Sequence, residues 1–136
     1  MTFAPACHLA ATCALMGLIW TVQIVIYPLF DRVGRTAFAG WHEAYMRHIG
    51  YVVGPLMLVE AGTAAWLLWD GRRDATFVSS VALLGLIWIS TAVVQVPLHR
   101  RLARGFEAAA HRRLVRTNWL RTLAWSLRGL LLLPLS

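Results

Sequence analysis

Apolar positions fall in four long runs, roughly 8–30, 49–69, 75–98 and 117–135. Each is close to the ~20 residues a helix needs to cross a bilayer core. The first and third runs each carry a glutamine and then a proline near one end, in TVQIVIYPLF and VVQVPLH. Proline inside a span frees a carbonyl and kinks the helix, which neighbouring helices must cover. Each of these runs is followed by an arginine-rich stretch, TAFAGWHEAYMRHIG or GFEAAAHRRLVRTN, mixing apolar and basic positions at helical spacing. Such stretches are expected to lie as amphipathic helices at the headgroup layer, or to extend spans two and four. Trp41, Trp69 and Trp119 fall near the predicted boundaries, where indole favours the interface.

The pattern is written twice. LMGLIW at 15–20 returns as LLGLIW at 83–88. After a one-residue slip, Pro28, Leu29, Arg32, Arg35, Ala39, His42 and Arg47 match Pro97, Leu98, Arg101, Arg104, Ala108, His111 and Arg116. The units, about 8–69 and 75–135, each contain two spans, so the second enters the membrane in the same direction as the first. The expected fold is all-α: one transmembrane domain over 1–136, an integral membrane four-helix bundle of two tandem hairpins with cytoplasmic amphipathic segments. A pseudo-twofold axis would run along the membrane normal, with ligand sites where the halves meet.

Composition agrees with this, since 59% hydrophobic against 14% charged residues is more apolar than one soluble core requires. All thirteen basic residues are arginine, and nine lie in 31–48 and 99–116. The turn at 70–74 offsets Arg72 and Arg73 with Asp70 and Asp74. The positive-inside rule therefore puts both arginine-rich segments in the cytoplasm and both termini outside, as in the inner membrane of a bacterium. The first run lacks a basic n-region and is too long for a signal-peptide core, so it reads as a retained span. The net charge of +7 then serves orientation and contact with anionic membrane lipids, not nucleic acid. Cys7 and Cys13 point to different faces of one helix and form no disulfide framework or redox motif.

Glu60, midway along span two, is the sharpest chemical signal, because an unpaired carboxylate there costs several kcal/mol (on the order of 2–4). The repeat puts Arg128 at similar depth as its partner. The pair is either part of a site or an ion pair that pins the two halves in register. Asn118, Arg121, Trp125 and Arg128 share one face of span four. Two arginines against one carboxylate leave a positive charge to be met by a substrate carboxylate, a phosphate or a developing enolate, unless Arg121 snorkels to the headgroups. Gln23 and Gln95 occupy equivalent spans and suggest the polar wall of a cavity, to which Tyr27 adds a hydroxyl. His42 and His111 align across the repeat and could clasp a metal or haem, relay protons, or simply pack. No span carries a two-ligand metal spacing, so no metal site and no cofactor is assigned.

Read in order, His8, GLIWTVQIVIYPLF, GPLMLVEAG, QVPLHRRL and NWLRTLAW resemble the small four-span bacterial membrane proteins near the anthrone-oxygenase-like families. The resemblance implies a four-helix membrane bundle and cofactor-independent oxidation of an aromatic or polyketide-like substrate; it assigns no catalytic residue. The histidine opening span one is also similar to that of the small haem-binding protoporphyrinogen oxidase family. That family pairs its histidine with a lysine, and this chain has none.

The functional expectation is an enzyme of oxidoreductase or isomerase type, acting on a lipophilic anionic small molecule in a polar intramembrane pocket. Glu60 would be the general acid–base, and His42 or His111 the proton relay. Arg121 and Arg128 would hold the anion, with Gln23, Gln95, Asn118 and Tyr27 orienting it. The alternatives are a small transporter or channel, which four spans could form only as a homo-oligomer, and a structural subunit of a membrane complex.

Overall fold

The computed structural model describes residues 3–135. Helix α1 (Phe3–Thr21) runs into a π-helical turn (Val22–Ile26) and a 3-10 segment (Tyr27–Arg32). After a short loop come α2 (Phe38–Trp69) and α3 (Ala75–Ser90); the latter continues through a second π-helical turn (Thr91–Gln95) into α4 (Val96–Leu102). The chain ends with α5 (Ala108–Leu132) and a 3-10 turn (Leu133–Leu135). No β-strand occurs among the described residues.

The prolines explain the two wide turns. Pro28 and Pro97 have no N–H to continue the ladder. Just before each, the backbone loosens by one residue: the Tyr27 N–H reaches Val22 O and the Val96 N–H reaches Thr91 O. Such π-turns recur at functional sites, because they re-aim side chains without ending the helix. Here they carry Gln23 and Gln95.

Three continuous helical stretches are long and apolar enough to cross a membrane: Phe3–Arg32, Phe38–Trp69 and Ala75–Leu102. The arginine-rich segment after the first proline is no separate surface helix from residue 38 onward; it is the first three turns of α2. With 32 residues, α2 is about 48 Å long at helical rise and outruns a hydrocarbon core of about 30 Å.

The expected fourth span, α5, departs from the apolar pattern. Its 25 residues include Arg112, Arg113, Arg116, Arg121 and Arg128, so hydropathy alone does not mark it as a span. Its faces account for this. Asn118, Arg121, Thr122 and Arg128 are buried, whereas Leu120, Leu123, Leu127 and Leu130 are exposed. Helix α5 is polar towards its neighbours and apolar outwards.

Helix α1 packs on α2 and on α5, and α5 packs on α3; α2 has no comparable packing on α3 or α4. The bundle is therefore an arc with a cleft between α2 and α4. Leu15, Ile19, Leu114 and Trp125 fill the core where α1 meets α5. At the arginine-rich end, Phe30 is fully buried and makes edge contacts with Phe38, Trp41 and Tyr45.

The turn joining α2 to α3 is locally determined. Helix α2 ends in a Schellman arrangement, with Arg72 N–H on Leu67 O (2.9 Å) and Gly71 N–H on Leu68 O (3.3 Å). Gly71 adopts the left-handed φ of 94° that this cap requires. Asp74 then caps α3, its carboxylate accepting the Phe77 N–H at 2.9 Å. Asp74→Ala is expected to cost about 1 kcal/mol, read as a lowered unfolding midpoint in detergent with the helix content of the folded state unchanged.

Candidate functional site

Polar groups inside the bundle form two separate clusters. The first surrounds Glu60, which is fully buried and ion-paired with the equally buried Arg128. The Glu60 carboxylate also accepts the Thr12 hydroxyl at 2.8 Å and the Trp125 indole N–H at 3.2 and 3.3 Å. Arg128 spends its remaining donors on Ser80 O (Nε, 2.9 Å) and His8 Nε2 (Nη2, 3.3 Å). Thr63 donates to Val59 O at 2.7 Å, so its oxygen is left to accept the His8 Nδ1–H at 2.8 Å. One histidine tautomer thus satisfies the whole network. Glu60, Arg128 and His8 are not among the residues lining the cleft described next.

The second cluster faces the open cleft. A cavity of about 250 Å³ lies between α2 and the α3–α4 helix, floored by α1 and α5. Its α2 wall includes Tyr45, Gly50, Val53, Gly54 and Met57; the opposite wall is Thr91, Gln95, Val96 and His99. The floor runs from Leu15 and Trp125 at the apolar end to Tyr27 and Arg121 at the polar end. Apart from the local backbone of α2 and the adjoining residues, no heavy atom comes within 4 Å of the Cβ position of Gly50 or Gly54, so there is open space along this part of the α2 wall.

Arg121 is the exceptional group here. It is buried, and no carboxylate among the described residues forms an ion pair with it. Its Nη1 donates to Asn118 Oδ1 at 3.2 Å, its Cζ lies 5.2 Å from the centre of the Trp125 ring, and its buried Nε has no partner. Arg128 is met by a carboxylate, a carbonyl and an imidazole; Arg121 is met by an amide oxygen, an indole face and the neutral Tyr27 hydroxyl, and by no carboxylate. The cleft is where its charge can be answered.

Beside Arg121 runs a chain of titratable groups. Tyr27 Oη is 2.9 Å from His99 Nε2, and His99 Nδ1 is 3.0 Å from His42 Nε2. The buried Nδ1 of His42 has no partner. A second hollow, about 370 Å³ and lined by His42, Glu43, His99 and Arg100 among others, lies on the other side of His99. His99 therefore lines both the cleft and this vestibule, together with Met46 and Val96. The three groups accept two hydrogen-bond polarities. In one, Tyr27 donates to His99 Nε2 and His99 Nδ1–H donates to His42. In the other, His42 Nε2–H donates to His99, whose Nε2–H donates to Tyr27. Switching between them moves a proton along the chain.

The remaining expected residues divide between the clusters. Gln23 is sealed into a bond network outside the cavity lining: its Oε1 accepts Asn118 Nδ2 (2.9 Å) and the Thr122 hydroxyl (3.2 Å), and its Nε2 donates to Val115 O (3.0 Å). Gln23 and Asn118 thus join α1 to α5, and Asn118 acts on the cleft only by holding Arg121. Gln95 does line the cleft, held by Ser90 and Thr117. Arg128 and Glu60, expected on the ligand, lie outside it. Trp125 bridges both clusters, with its indole N–H on Glu60 and its face towards Arg121.

The symmetric pairing of His42 with His111 does not form. Phe30 stands between them, its ring centre 5.8 Å from that of His42 and 6.0 Å from that of His111. His111 Nε2 instead donates to the Tyr27 carbonyl at 2.6 Å, tying the first kink to α5. The partner of His42 is His99, which directly follows the third apolar run. Tyr45 also lines the cleft. Its only sequence signal is its position three residues after His42, on the same face of α2. Among the described residues, no group of three or more His, Cys, Asp or Glu is placed to hold a metal ion.

No family model, curated protein or solved structure matches this chain.

Proposed function

We propose that this is an integral membrane protein whose lateral cleft binds an amphipathic small molecule by its anionic or ionisable oxygen and exchanges a proton with it. The observation that carries this reading is Arg121, a buried guanidinium with no carboxylate, facing a cavity that is polar at one end and apolar at the other. A ligand anion supplies the missing counter-charge in a site shielded from water, where a charge-assisted hydrogen bond is strong. The apolar remainder of the ligand lies against Leu15, Val53 and Met57 and reaches the cleft from within the bilayer.

In this reading Tyr27 and His99 are the acid–base pair nearest the ligand oxygen, and His42 passes the proton to the vestibule. A guanidinium beside a proton relay favours an enolate or phenolate over its neutral parent. That suits isomerisation through an enol, and it suits the deprotonation that would precede cofactor-independent oxidation of an aromatic substrate by dioxygen, the chemistry implied by the resemblance to anthrone-oxygenase-like proteins. Glu60 and Arg128 act here as an internal clamp between α2 and α5.

The membrane topology belongs to the same proposal. Two π-turns precede prolines in the same register, and each leads to an arginine-rich segment, which supports a tandem pair of hairpins. The arginine bias puts the vestibule on the cytoplasmic side and both termini outside, so the relay ends where protons are exchanged with the cytoplasm.

The test uses purified protein in mild detergent and a panel of C12 probes: dodecanoate, a dodecylphenol, a dodecyl-substituted 1,3-diketone and dodecanol. The probes with an ionisable oxygen are expected to raise the unfolding midpoint, by about 2.7 kcal/mol of added stability at a hundredfold excess over Kd; dodecanol is not. Equal shifts by dodecanol and dodecanoate, or no shift by any probe, sink the proposal.

A further inference from the structure

Away from the cleft, the opposite face of the α3–α4 helix forms a groove against α5. Residues 91, 95 and 99 face the cleft, while 93, 97 and 101 lie on the other side of the same helix. Val93, Val94, Pro97 and Leu98 make an apolar floor, and Arg101 and Arg113 close its arginine-rich end. A second hollow adjoins it along α5, lined by Ala109, Arg112, Arg113, Arg116 and Thr117. Arg113 belongs to both.

The charges in these hollows are unbalanced. Arg101 is paired with Glu107, but no carboxylate among the described residues pairs with Arg112, Arg113 or Arg116. Three exposed arginines within five residues repel one another across a helix face, and like charges at i,i+4 destabilise it. Two adjoining basic hollows, with one arginine between them and an apolar furrow running from one of them, match a particular chemistry. They fit a headgroup with two phosphates and an acyl chain leaving it. Arginine suits phosphate through its fork of donors, and basic pockets between spans on the cytoplasmic side are where such headgroups bind.

We infer that the α4–α5 groove is a site for an acidic phospholipid carrying two phosphates, of the diphosphatidylglycerol class, with one phosphate in each hollow and Arg113 touching both. An acyl chain lies along Val93, Val94 and Pro97. The site rests on the chain lying in a bilayer and is independent of the Arg121 cleft. It also holds α5 against the kinked helix whose other face carries Gln95 and His99.

Native mass spectrometry of the detergent-purified protein, with lipids added in competition, tests this directly. Diphosphatidylglycerol is expected to be retained at least tenfold over phosphatidylcholine of the same chains, and more than single-phosphate phosphatidylglycerol. Arg113→Gln is expected to lower that retention about tenfold and Arg116→Gln less. Arg104→Gln, the same change of charge outside both hollows, leaves it intact, as does Arg121→Gln. Equal losses in Arg104→Gln and Arg113→Gln overturn the site, since only net charge would then be read. Equal retention of one- and two-phosphate lipids overturns the two-phosphate assignment. Displacement of the lipid by millimolar pyrophosphate overturns the lipid in favour of a soluble phosphate ligand.

Discussion

Replacing Glu60 by leucine is expected to destabilise the protein by about 3–5 kcal/mol, the range for stranding one member of a buried ion pair. The magnitude follows from what is left behind. Arg128 is wholly buried, and without Glu60 its charge keeps only the Ser80 carbonyl and the His8 imidazole. The Thr12 hydroxyl and Trp125 N–H lose their acceptor as well, adding unpaired donors at about 1–3 kcal/mol each before local rearrangement. Glu60→Met combined with Arg128→Met is expected to recover most of the loss, because exchanging a whole buried pair for apolar groups of similar size is often neutral. Unfolding in mixed micelles, followed by circular dichroism on Glu60→Met, Arg128→Met and the double variant, gives the coupling energy. A Glu60→Gln variant that keeps full stability but no longer exchanges protons with a bound 1,3-diketone would return the carboxylate to the chemistry.

Arg121→Gln is expected to behave in the opposite way: ligand-free stability unchanged or raised, and affinity for dodecanoate lowered at least tenfold. Burying a guanidinium without a carboxylate costs several kcal/mol even after relaxation. Against this the folded state holds a bond to Asn118, the neutral Tyr27 hydroxyl and the Trp125 face, the last worth at most about 2 kcal/mol when desolvated. The desolvation cost is larger, so removing the charge does not weaken the empty protein. Glutamine keeps a donor for Asn118 and leaves the amide bonded. The lost affinity measures the missing counter-charge, and dodecanol, if it binds weakly, should not distinguish the variant from the wild type. A variant that unfolds as readily as Glu60→Leu would show that Arg121 is structural, and the cleft would lose its anchor. Arg121 and Arg128, seven residues apart on one face of α5, are thus told apart: stranding Arg128 destabilises the protein, whereas removing Arg121 does not.

The sequence alone determined what depends on neighbours along the chain. Helical spacing and run length set the helices, and prolines 28 and 97 set where they loosen. The Asp-Gly-Arg-Arg-Asp turn carries its own caps, and a carboxylate midway along an apolar run, with an arginine at the matching position of the expected repeat, pointed to the pair that Glu60 and Arg128 make. These are local or depth-matching properties, and membrane geometry leaves few alternatives for them. Whether such charges face a ligand or one another is a different matter, since depth does not specify how a helix is rotated about its axis. Only the packing of α5 on α1 and α3 decided that Arg128 is enclosed while Arg121 reaches open space. Tertiary structure alone also made His99 the partner of His42 and Tyr27. Their separations of 57 and 72 residues leave no trace in any window of sequence, and the repeat pointed instead to His111. Symmetry in sequence matches positions along a helix; the ring of Phe30, wedged between the two matched histidines, keeps them apart, and the gap between α2 and α4 leaves His42 facing His99.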